Sequence, residues 1–100
     1  MVKVLWALGR LLHAIVQGQI MAHLPTPEEN AMQILNIFVN HFNGRPGSVL
    51  RLVNFLAVMD KYDMRADDLT SGFIFASNAG WVDIPSDKTY RLTQDGFAAA

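Results

Sequence analysis

Between Gly80 and Trp81 the hydrophobic periodicity of the chain changes, and that change limits the fold more than any other feature. Before it, apolar residues recur every three or four positions; after it, Trp81-Val82-Asp83-Ile84 and Thr89-Tyr90-Arg91-Leu92 alternate in the manner of strands. Spacings of three and four gather side chains on one face of a helix, whereas alternation gathers them on one face of a strand. The expected class is mainly α with a small β-hairpin, the two strands joined by the turn-forming residues Pro85-Ser86-Asp87-Lys88.

Four helices are expected ahead of the hairpin. From Val4 to Ile20 the residues Leu5, Leu8, Leu12 and Ile15 form an apolar stripe, with Lys3, Arg10 and Gln17 opposite. This segment, within residues 1–24, is expected to pack either on the core or on a second copy as a dimerisation element. A natural start at Met21 is the alternative that would remove it. Residues 26–100 form the domain proper. Thr26-Pro27-Glu28-Glu29 starts its first helix: Thr as N-cap, Pro in the first turn, and Glu to close a capping box. Ala31, Ile34, Leu35, Phe38 and Phe42 share a face that ends near Asn43-Gly44. Ser48 is expected to cap the next helix, with Val49, Leu52, Val53, Leu56 and Met59 as its apolar positions. The last helix of this series spans Arg65 to Ala79, with Asp67 and Asp68 near its positive end and Gly80 as its stop.

Composition removes several functions. The 100 residues suffice for one core, and 51% of them are hydrophobic. Without cysteine there are no disulfides, zinc–thiolate sites or thiol nucleophiles, which fits a cytoplasmic protein. No uncharged run is apolar enough for a bilayer span, and Arg10 interrupts any secretory apolar region, so neither membrane insertion nor export is expected. A formal net charge of -1 supplies no general attraction for nucleic acid.

The segments Gly80-Trp81-Val82 and Tyr90-Arg91-Leu92-Thr93-Gln94-Asp95-Gly96 resemble the end of the recognition helix and the wing of winged helix-turn-helix regulators of the MarR and PadR type. The resemblance covers about Thr26 to Phe97. It implies a three-helix core with a two-stranded wing, preceded here by the extra amphipathic helix. It also implies a dimer binding double-stranded DNA, with the 65–79 helix in the major groove and the wing on the backbone. Arg65, Thr70, Ser71, Asn78, Lys88 and Arg91 would then make the DNA contacts, with Arg45 and Arg51 as further phosphate partners.

The outward face of that helix departs from the pattern. At 100° per residue, Leu69, Gly72, Phe73 and Ala76 point to the core, leaving Asp67, Ser71, Ile74, Phe75 and Asn78 opposite, with Thr70 and Ser77 on the flanks. No Lys or Arg lies between Arg65 and Lys88. Groove-reading helices need such cations, whereas Ile74 and Phe75 suit burial against protein. A protein-docking role is therefore the alternative, with Leu5, Leu8, Leu12, Ile15, Ile74 and Phe75 as interface residues. A small-molecule pocket between the first helix and the core is a third possibility.

Catalysis is not expected. His13, His23 and His41 are never three or four apart, so no pair shares a helical face for a metal. The serines lie in no nucleophile-elbow context, and Gly44-Arg45-Pro46-Gly47 lacks the Lys of a phosphate loop. Neither metal nor cofactor is expected. Trp6 and Trp81 sit where amphipathic patterns bury side chains, and the five methionines are scattered as core fillers.

Overall fold

The computed structural model describes residues 24–100; the amphipathic segment Val4 to Ile20 and its stripe Leu5, Leu8, Leu12 and Ile15 lie outside them. The described chain is mainly α, with four α-helices and a three-stranded antiparallel sheet. Helix α1 (Pro27–Asn36) begins as its residues require. Glu29 N–H donates to Thr26 Oγ1 at 3.1 Å, and Thr26 N–H donates to Glu29 Oε1 at 2.9 Å, closing the capping box. The helix widens into one π-turn over Ile37–His41 before Gly44.

The segment after it differs from expectation. Val49–Arg51 is a strand, β1, and helix α2 (Leu52–Val58) starts only after it. Ser48 caps no helix; its hydroxyl accepts from Arg45 N–H at 2.9 Å. Instead Arg51 N–H donates to Asn54 Oδ1 at 2.8 Å, which fixes the helix start at Arg51. The apolar face changes with it. Phe55 is fully buried, while Val49, Val53 and Leu56 are exposed. The run from Val49 to Met59 is apolar around most of its circumference, so spacing alone fits two faces, and pairing with a distant strand selects between them.

Helix α3 (Ala66–Asn78) buries Leu69, Gly72, Phe73 and Ala76, the face expected from its sequence. It ends at Ala79, and the chain turns through Gly80 with φ 79°. Strands β2 (Val82–Asp83) and β3 (Thr89–Leu92) form the hairpin, and the sheet order is β1-β3-β2. Val49 faces Arg91, which faces Asp83, so these three share the outer face of the sheet; Leu50, Tyr90, Val82 and Leu92 turn inward. Thr93 caps the closing helix α4 (Gln94–Ala99) by accepting from Gly96 N–H at 2.9 Å.

The main packing is α1 against α3. A Cβ on Gly72 would lie 2.8 Å from the Asn30 backbone carbon and 2.7 Å from Ile34 Cδ1. No side chain fits between these backbones, so glycine sets how closely the helices approach. Four rings then tie the layers together. Phe38 of the π-turn after α1 meets Phe55 of α2 at 5.6 Å, Phe55 meets Phe73 of α3 edge-on at 5.0 Å, and Phe73 stacks on Tyr90 of β3 at 3.7 Å. Gly72→Val should lower the unfolding free energy by about 3 kcal/mol through overpacking. The urea midpoint measures this, and an unchanged midpoint would mean that α1 and α3 separate without cost.

Candidate interaction surface

Because Gly72 and Phe73 face inward, Ile74 must face outward, and it is 58% exposed. It sits in an apolar groove of about 350 Å³ between α2, α3 and the hairpin. Leu52 and Leu56 supply the α2 wall, Leu69, Phe73 and Ile74 the floor, and Ile84 and Tyr90 the hairpin wall. Thr70, Ile74 and Asn78 also border a second depression that reaches Pro27 at the start of α1, beside Asp67, Ser71 and Phe75. Leu56 borders a third, with Val53, Arg51, Asp87 and Lys88. Shared walls make these one strip running from Pro27 across α3 to the hairpin tip.

The strip is mostly apolar. Seven large hydrophobic side chains are exposed among the described residues, and four of them, Val53, Leu56, Ile74 and Ile84, line it. Single exposed apolar residues are ordinary on any protein surface; the convergence of four in one groove is less so. Ile84 and Val53 were not legible as part of this surface. Alternation puts Ile84 on the inward face with Val82, but β2 ends at Asp83 and Ile84 is exposed, and Val53 is expected among the apolar positions of a helix beginning at Ser48.

Of the residues expected to meet DNA, Thr70, Ser71, Asn78 and Lys88 line the strip, whereas Arg65 and Arg91 stand outside it. Arg65 stands at the start of α3, its N–H donating to Asp68 at 2.9 Å and its guanidinium 3.6 Å from the same carboxylate. Arg91 pairs with Asp83 across the outer sheet face at 3.3 Å. The Thr70 hydroxyl donates back to the Ala66 carbonyl at 3.3 Å. Ser71 is half-buried and Asn78 exposed. Lys88, at the hairpin turn with φ 60°, shares the third depression with Arg51, and neither has an ion-pair partner among the described residues. Arg45 lies over the Phe97 ring at 5.5 Å and donates to the Gly44 carbonyl. Phe75 differs from its neighbour Ile74: it is half-buried against the core, its ring centre 5.6 Å from that of Trp81.

Electrostatics around the groove are quiet. Burial, and then the Asp87 carboxylate, push the Tyr90 hydroxyl above its ordinary value, so it is an uncharged phenol at neutral pH. His41 Nδ1 lies 3.0 Å from the Tyr62 hydroxyl. Among the described residues no three His, Asp or Glu side chains converge as metal ligands, and no helix is long and apolar enough to cross a membrane.

In the folded monomer, at dilutions below any self-association, Ile74→Glu should leave stability within about 0.5 kcal/mol, as for an exposed site. Phe75→Ala should cost on the order of 2 kcal/mol, less than a full core truncation because its ring is partly exposed. Urea denaturation of both variants checks the contrast, and an equal loss would mean that Ile74 is covered by this protein's own fold.

Comparison with protein-family models, with curated proteins and with solved structures finds no match to this chain.

Proposed function

We propose that this chain is a winged-helix domain whose outward α3 face docks protein rather than reading DNA. The winged-helix assignment is supported by the order of α1, α2, α3 and the hairpin, and by the motif residues in the places the resemblance gives them: Gly80 after α3, Thr93 at the cap of α4, Gly96 beneath the Trp81 carbonyl. The observation that carries the docking role is the apolar strip over Ile74 on the helix that would otherwise enter the major groove.

Charge supports the same conclusion. Residues 24–100 carry six Lys and Arg against nine Asp and Glu, a formal net charge of -3. Such a domain repels a polyanion unless cations are gathered locally. Two of the six, Arg65 and Arg91, are paired with carboxylates.

One observation favours the DNA reading instead: Arg51 and Lys88 stand together at the hairpin tip without ion pairs among the described residues, at the end of a helix presenting Thr70, Ser71 and Asn78. The two readings separate on a titration of the full chain against a mixed duplex pool at low and at physiological salt. Docking predicts no saturable binding even at low salt. Saturable binding with a steep loss as salt rises would overturn it. Lys88→Ala would then weaken binding on all sequences, and Asn78→Ala would change sequence preference.

A further inference from the structure

The strip has a candidate occupant within this protein's own sequence. We infer that it receives the amphipathic segment Val4–Ile20 of a second copy, so that two copies exchange their N-terminal segments. The inference rests on the protein-docking reading and adds the identity of the partner.

Shape and polarity agree. The stripe Leu5, Leu8, Leu12 and Ile15 is the kind of ridge an apolar groove between two helices accepts. Seventeen residues in a helix would extend about 25 Å, enough to follow the strip from α1 towards the hairpin.

Charge agrees as well. All nine acidic residues of the chain lie in residues 24–100, whereas residues 1–23 hold two cations, Lys3 and Arg10, and no acid. Residues 1–23, of charge +2 with Arg10 inside Val4–Ile20 and Lys3 just before it, thus complement a domain of charge -3, with Asp67 and Asp87 on the borders of the strip. Opposite charges set the encounter, and the apolar stripe supplies the contact.

The chain's exit from α1 favours a second copy over the same copy. Leu24 and Thr26 each precede a proline, which disfavours helical backbone at those positions, and Thr26 is extended with φ -81° and ψ 163°. Leu24 is 71% exposed, and Pro27 borders the strip. Only three residues, 21–23, separate Val4–Ile20 from this stiff, extended lead, which leaves little chain for a return onto its own strip. Short stiff hinges of this kind are where exchange between protomers arises.

Sedimentation of the full chain, of Ile74→Glu and of Leu12→Glu tests this, with circular dichroism melts confirming that each variant is folded. The expected result is a dimer for the unsubstituted chain. Each substitution should raise the dimer dissociation constant by about tenfold or more, the scale for losing a buried interface anchor. A monomeric unsubstituted chain would overturn the exchange and leave docking of a different protein in place. A dimer that survives Ile74→Glu but not Leu12→Glu would overturn it too, because the segments would then pair with each other away from α3. Duplex binding in the preceding titration is a separate outcome, overturning the docking reading itself.

Discussion

At Gly72, α3 passes so close to α1 that a single methyl group would press on the Asn30 backbone. That contact sets the distance between the two principal helices and also the rotation of α3 about its own axis. With Gly72 and Phe73 turned to α1, a 100° step per residue leaves Ile74, Asp67 and Asn78 no position except the outer face. The exposure of Ile74 in the groove is thus fixed by the core: moving Ile74 inward would bring a polar or bulkier residue against Asn30.

The hairpin depends on the same arrangement through rings. Phe73 stacks on Tyr90 and meets Phe55 edge-on, and Phe55 in turn meets Phe38, so α2, α3, β3 and the π-turn after α1 share one aromatic path. Below it, the Thr93 hydroxyl donates to the Gly80 carbonyl at 2.7 Å while accepting from Gly96 N–H. One side chain therefore fastens the exit of α3 to the start of α4. A Cβ at Gly96 would collide with the Trp81 carbonyl oxygen, so that position closes on the Trp81 backbone only as glycine. These contacts place Ile84 and Tyr90 opposite α2 and create the groove's second wall.

Much of this was legible in the sequence, because it is local. Thr26-Pro27-Glu28-Glu29 carries its own capping chemistry, the inward face of α3 follows from spacing, and the hairpin and its Thr93 cap follow from alternation and turn residues. Strand β1 was not legible. Val49 and Leu50 read as helix until Arg91 and Tyr90 are known to lie beside them, and that pairing joins residues about forty positions apart. The error propagates: a helix starting at Ser48 buries Val53 and Leu56 and leaves Phe55 off that face, whereas the observed start at Arg51 buries Phe55 and exposes the other two. Ile74 could therefore be placed on the surface from sequence, but the groove around it could not, since two of its walls depend on the sheet.

The exposed residues also explain why the strip is unsuited to remain bare. A fold that needed only solubility could carry polar side chains at Val53, Leu56, Ile74 and Ile84 without disturbing Gly72, Phe73 or the ring path, since none of the four is fully buried. Their side chains add little to the core, and together they leave an apolar concavity facing water. The charges around it do not compensate as a nucleic-acid surface would. Asp67 and Asp87 border the strip as Arg51 and Lys88 do, so no single-sign field extends along it. The proposed docking role rests on this pattern, apolar in the middle with mixed charge at the rim, because in protein interfaces burial supplies affinity and rim charges set orientation.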